Sequence, residues 1–178
     1  VSGIYIYGSQ FESGSYPTSY IPNHSGGSVT RGADDSFVTN LISNGIITNN
    51  QFTYFIELEG LGHSSNTQVY LTDTSNNRIL SLNFIGQANV YGFYSPDAPG
   101  YVSYDTDDGV VKIAVSYDGS NFKQYFNGAK TGTLAASVAN SLNKIDLSLL
   151  GGNALTIHQN LLFDTALSED DCKALTAL

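Results

Sequence analysis

Short runs of alternating apolar and polar residues recur along this chain, and most are closed by Gly, Asn, Asp or Pro. A two-residue period places every second side chain on one face, so each run predicts a strand with one buried side. Ile4 to Phe11 begins Ile-Tyr-Ile-Tyr and is the first. Gly14 to Gly27 holds Pro17, Pro22 and several Gly and Ser residues, which predicts an extended linker with Tyr16, Tyr20 and Ile21 as its anchors. From Ser28 the signals become regular. Phe37-Val38 precedes a short apolar segment at Leu41-Ile42, continued by Gly45-Ile46-Ile47, and Phe52 to Glu59 is a strong strand. Gln68 to Thr72 and Arg78 to Ile85 flank Asp73-Thr-Ser-Asn-Asn77 and predict a hairpin. Ala88 to Tyr94, Tyr101 to Tyr104, Val110 to Tyr117, Asn121 to Phe126, Lys144 to Leu150 and Ala154 to Phe163 complete the set. Asp118-Gly119 and Asn127-Gly128 accept the positive φ values that tight hairpins need.

The 3.6-residue period is confined to the tail, Thr165 to Thr176. Ser168 is an N-cap there, and Glu169, Asp170 and Asp171 fill the first turn, where the helix dipole favours negative charge. About ten short strands and one terminal helix predict an all-β jelly-roll sandwich. No internal repeat or second core is visible.

Composition narrows the function. Sixteen acidic residues against seven basic ones give a formal charge of −9, and the basic residues are scattered. Phosphate backbones demand clustered Lys and Arg, so nucleic-acid binding is excluded as a reading, as is attraction to an anionic membrane surface. No apolar run approaches the roughly 20 residues needed to span a bilayer, which also argues against membrane insertion. The one cysteine, Cys172, has no partner for an internal disulfide and follows three carboxylates, which suits a small buried hydrophobe better than a nucleophile. The chain starts at Val1 inside an alternating segment and has no methionine, as expected of a piece of a longer polypeptide.

Three blocks in one order resemble a junction of phage tail and tail-fibre proteins: Gln10-Phe-Glu-Ser-Gly14, Thr18-Ser-Tyr-Ile-Pro22 and Val29-Thr-Arg-Gly-Ala-Asp34. Lys112-Ile-Ala-Val-Ser-Tyr-Asp-Gly119 with Tyr125-Phe-Asn-Gly128 is similar to a hairpin of laminin-G-like sandwiches. Ala166 to Thr176 resembles the closing helix of the same family, with Asp171 where that family commonly has Glu. The resemblance covers residues 10–178. It implies a concanavalin A-like (laminin-G-like) jelly-roll β-sandwich over 28–178, with residues 1–27 an extended leader from an upstream module and a short C-terminal helix. It further implies a virion location on a tail or surface appendage assembled in the bacterial cytoplasm, a homotrimer, contacts with other virion proteins, and a host cell-surface glycan as ligand. The function it suggests is non-catalytic receptor binding. A purely structural virion module (a spacer, head decoration or assembly domain) is the alternative.

Candidate chemistry was sought against that background. Glu57 and Glu59 share a strand, but two residues there span about 6.5–7 Å, beyond the roughly 5.5 Å of a retaining glycosidase pair. No G-x-S-x-G elbow occurs, and His24, His63 and His158 lack zinc-ligand spacing. An enzyme is therefore not expected. Asp105, Asp107 and Asp108 offer hard oxygen ligands, making calcium the one cofactor the residues suggest; their spacing does not make an EF-hand loop, and an acidic turn before the Val110 strand is the reading they favour. Twelve tyrosines stand against no tryptophan. Tyr91, Tyr94, Tyr101 and Tyr104 cluster around a Pro-rich loop with Asp97, combining aromatic faces for sugar C–H groups with a hydroxyl acceptor. A sheet face or subunit interface filled by tyrosines is the competing reading.

Overall fold

A computed structural model describes residues 37–60, 67–85, 90–95, 98–105, 109–136, 142–147 and 155–178, with Val90–Ser95 and Ala98–Asp105 described by their backbone. Two compact units divide the chain, Val1–Asp34 and Asp35–Leu178. The leader strand, linker and 27/28 boundary expected from the sequence lie outside the described residues, as do His24 and His63.

Eleven described strands form two antiparallel sheets. In chain order they are β1 (Phe37–Val38), β2 (Phe52–Gly60), β3 (Thr67–Thr72), β4 (Arg78–Ile85), β5 (Val90–Ser95), β6 (Ala98–Asp105), β7 (Val110–Tyr117), β8 (Asn121–Phe126), β9 (Ala129–Ala135), β10 (Lys144–Asp146) and β11 (Leu155–Phe163). One sheet runs β1-β10-β3-β4-β5-β6 and the other β11-β2-β7-β8-β9. This is the expected jelly-roll sandwich. Helix α1 (Glu169–Thr176) follows the last strand. No helix among the described residues is long and apolar enough to cross a membrane.

The core lies between the sheets and follows from the two-residue period. Phe52, Tyr54, Ile56 and Leu58 of β2 meet Val111, Ile113, Val115 and Tyr117 of β7 in register, and Val69, Leu71, Leu80 and Leu82 line the facing sheet. The opposite face of β2, β7 and β8 presents Phe55, Ala114 and Tyr125, which α1 covers with Cys172. Thr53, fully buried on that face, donates through Oγ1 to the Thr165 carbonyl at 2.9 Å and accepts from Leu167 N–H at 2.9 Å, fixing the approach to the helix. Ser168 caps α1 as expected: its Oγ accepts from the Asp171 N–H at 3.2 Å and donates to the Asp171 carboxylate at 2.6 Å. Cys172 is fully buried, and burial pushes its thiol up to about 11.

The two expected Gly turns form. Asn127 and Gly128 both have positive φ, 44° and 82°, the pattern of a tight hairpin turn. At the β7–β8 turn, Asp118 Oδ1 accepts from the N–H groups of Ser120 (3.0 Å) and Asn121 (2.8 Å), and Oδ2 pairs with Lys123 at 2.8 Å. Burial opposes ionisation of this carboxyl, yet the Lys123 and backbone bonds outweigh it and hold it at about 2. In an unfolded chain an aspartate titrates near 3.9. Its native contribution is thus complete above about pH 4 and is lost as pH falls through about 2. With the side chain 28% exposed, solvent screening reduces the contribution to about 1–2 kcal/mol. Asp118→Ala is expected to lower the melting temperature by a few degrees at neutral pH. That gap should shrink between pH 4 and pH 2, as followed by circular dichroism melts; a gap constant over that range would show that the charged form is not what the turn uses.

Candidate functional site

A polar groove with one aromatic side chain lies on the outer face of the six-stranded sheet, over β3, β4 and β10. Its backbone source is the β3–β4 hairpin. Asp73, only 4% exposed, accepts from Ser75 N–H and Asn77 N–H at 2.8 Å each and from Asn77 Nδ2 at 2.9 Å. Asn76 takes the left-handed conformation (φ 61°) that Asn tolerates. These bonds commit the Asp73 carboxylate to the turn and hold Asn76, Asn77 and Arg78 at the rim of the sheet.

Register brings three separate segments together there. Asp146 of β10 lies opposite Tyr70 of β3, which lies opposite Ser81 of β4; two residues along, Lys144 faces Thr72, which faces Arg78. Because Val69 and Leu71 enter the core, Tyr70 and Thr72 must point away from it. Tyr70, Thr72, Asn76, Asn77, Arg78, Lys144 and Asp146 line an open groove of about 840 Å³.

The groove lining carries two cations and one carboxylate on an acidic chain. Arg78 Cζ sits 4.2 Å from the centroid of the Tyr70 ring, a cation–π contact that positions the guanidinium without consuming a carboxylate. Among the described residues no carboxylate forms an ion pair with Arg78. Lys144 Nζ meets Asp146 Oδ2 at 2.7 Å and lies 4.8 Å from the centroid of the Phe37 ring. Thr72 is 8% exposed, and its Oγ1 has no hydrogen-bond partner. Buried hydroxyls are ordinarily paired, so this atom behind the groove lining carries an uncompensated desolvation cost.

The residues singled out in the sequence stand in varied places. Asp97, Asp107 and Asp108 lie outside the described residues. Tyr91 and Tyr94 belong to β5, and Tyr101, Tyr104 and Asp105 to β6. Position 94 is in register with Ser81, in the same row as Tyr70 and Asp146, while positions 91 and 104 are opposite each other. Asp105 is opposite Val90 at the end of β6. Among the described residues no group of three or more His, Cys, Asp or Glu is placed to hold a metal ion. Glu57 and Glu59 sit two positions apart on the outer face of β2, and Glu59 Oε2 is 3.4 Å from His158 Nε2 in an exposed contact.

Tyr70, Arg78, Lys144 and Asp146 were not singled out in the sequence. The alternation of β3 could have indicated that Tyr70 and Thr72 face outward beside the hairpin arginine. Nothing local could have brought Lys144 and Asp146 to them.

Two antiparallel sheets of this topology, followed by one short helix, give the fold: a jelly-roll β-sandwich, shared with solved structures of lectins and carbohydrate-binding modules. No protein-family model matches the sequence, and no curated protein does. Among solved structures, the carbohydrate-binding module CBM40 of the Ruminococcus gnavus IT-sialidase, bound to α2,3 sialyllactose, is similar with a TM-score of 0.58 and 12% identity, over 76% of this chain and 87% of that one. A tetrameric galectin from the ball sponge Cinachyrella sp. gives 0.55 and 10%, over 73% of this chain and 99% of that one. Botulinum neurotoxin type C, whose cell entry is dependent upon interaction with two ganglioside molecules, gives 0.58 and 16% over 78% of this chain. This chain spans 38% of the toxin chain's length. At such identities the likeness is one of fold.

Proposed function

We propose that this chain is a non-catalytic carbohydrate- or receptor-binding domain of a phage tail fibre or tailspike that displays its outer surface and loops to host-surface glycans. The observation that carries this reading is the outer sheet face, where an aromatic ring, amides and cations gather in one groove on a jelly-roll sandwich. Sugars need that combination, an apolar ring face beside groups that bond hydroxyls. Neighbours of the same fold that bind sialyllactose or gangliosides lend it support, and the three-block junction at Gln10 to Asp34 supports the virion setting. Within this reading Tyr91, Tyr94, Asp97, Tyr101 and Tyr104 form a sugar-binding loop region, and Asp105, Asp107 and Asp108 a calcium site that steadies it. Assembly as a homotrimer would multiply a weak single-site affinity.

A second reading, a structural virion module, is favoured by one observation. Phe37, Val38, Ile42 and Ile46 are 51%, 46%, 37% and 43% exposed near the β1 edge, an apolar surface suited to a protein contact.

A bacterial surface-glycan array, read first with calcium and then with chelator, separates them. Binding that disappears in Tyr94→Ala or Tyr101→Ala is the expected result, and chelator sensitivity would assign the Asp105 segment to calcium. Silence in both conditions, from protein with a cooperative melt, would favour the structural module.

A further inference from the structure

The groove between β3, β4 and β10 has chemistry of its own. Its titratable groups are Arg78, Lys144, Asp146 and Tyr70, with Asp73 behind the turn. Lys144 and Asp146 offset each other at 2.7 Å, which leaves Arg78, among the described residues lining the groove, as the cation without a carboxylate partner, on a chain whose formal charge is −9. Arg78 is stacked on Tyr70 beside Thr72 Oγ1, a buried hydroxyl oxygen without a partner. Asn76 and Asn77 complete the lining on the turn side.

We propose that this groove is a subsite for an anionic saccharide. A carboxylate or phosphate substituent is taken by the Arg78 guanidinium, whose fork of N–H donors matches two anionic oxygens. The ring hydroxyls of the same sugar meet the exposed amides of Asn76 and Asn77. Tyr70 holds the guanidinium in place before the ligand arrives, so little side-chain freedom is lost on binding. Lys144, kept in position by Asp146 and Phe37, is offset by that carboxylate and leaves the reading of the ligand's charge to Arg78. This inference rests on the glycan-binding reading and goes beyond it by naming the ligand's charge and the side chain that reads it.

The test is isothermal titration with matched pairs: sialyllactose against lactose, and a mannose 6-phosphate oligosaccharide against its unphosphorylated form. The wild-type protein should prefer the charged member of at least one pair by about tenfold or more, and the preference should fall as salt rises. Whichever pair shows it identifies the carboxylate or the phosphate as the recognised group. Arg78→Gln should abolish the preference while the melting temperature stays unchanged, and Arg78→Lys should restore only part of it, since an ammonium lacks the planar fork. Equal binding of charged and neutral members, or a preference indifferent to Arg78→Gln, would overturn the subsite and leave the glycan-binding function standing. Failure to bind any member of these pairs would overturn the subsite. If the glycan array were also silent, the broader reading would fall with it.

Discussion

Phe122→Ala is expected to destabilise the domain by about 3–5 kcal/mol, the largest loss from any single truncation proposed for this chain. Phe122 is fully buried, and its ring centroid lies 4.5 Å from that of Tyr117 and 6.2 Å from that of Phe52, which in turn lies 5.7 Å from Tyr117. All three project from paired positions on β2, β7 and β8 into the space between the sheets. Removing one ring deletes its transfer free energy and leaves a cavity that two hydrogen-bonded sheets cannot collapse to fill. Tyr117 would feel the loss twice, because its hydroxyl donates to the Ala136 carbonyl at 3.3 Å and so cannot swing into the gap without breaking that bond. Urea unfolding followed by tyrosine fluorescence measures it directly: the midpoint should fall with the slope unchanged. A loss below about 1.5 kcal/mol would mean that the aromatic triad does not organise this end of the core.

Gln124→Leu should act in the opposite direction, raising stability by about 1–3 kcal/mol. Gln124 is fully buried on the inner face of β8, between Val115 of β7 and Gly132 of β9. Neither neighbour offers a polar side chain, and both the Oε1 and the Nε2 of Gln124 lack a hydrogen-bond partner. An amide so placed has given up its solvation without replacement. Leucine has a similar volume and no polar atoms, so it keeps the packing while removing that cost. The Tyr54 hydroxyl, in the same inner row and also unpartnered, is pushed to a higher pKa by burial alone, which marks the same apolar surroundings. A higher urea midpoint for Gln124→Leu is the expected result. A lower one would reveal that the amide has a partner worth more than its desolvation.

Features whose causes lie within a few residues were legible in the sequence. Asp118-Gly119, Asn127-Gly128 and Ser168 each act through their own backbone or the next three residues, and each turn or cap forms as read. Strands with strong alternation, such as Phe52–Gly60 and Val110–Tyr117, were equally plain. β9, Ala129-Lys-Thr-Gly-Thr-Leu-Ala, was not recognised as a strand, because small and polar residues leave it without a clear period. It exists through pairing with β8, the kind of tertiary support that overrides weak β-propensity. β6 is longer than expected for the same reason, through its pairing with β5, whereas β10 stops at Asp146. The groove lay beyond local reading altogether. Tyr70 meets Asp146 only after β10 has crossed to lie beside β3, so its composition is set by topology rather than by any motif.

Cys172 gives the domain a built-in clock. Its sulfur lies against Phe55, Ala114 and Tyr125 beneath α1, wholly shielded, with the thiol pKa held near 11. A thiol reagent can therefore reach it only when the terminal helix lifts from the sheet or the whole domain opens. The rate of alkylation in native buffer then reports the population of that open form, and its dependence on denaturant distinguishes peeling of the eight-residue helix from global unfolding. Because this is the chain's sole thiol, that reading is free of interference from any other site.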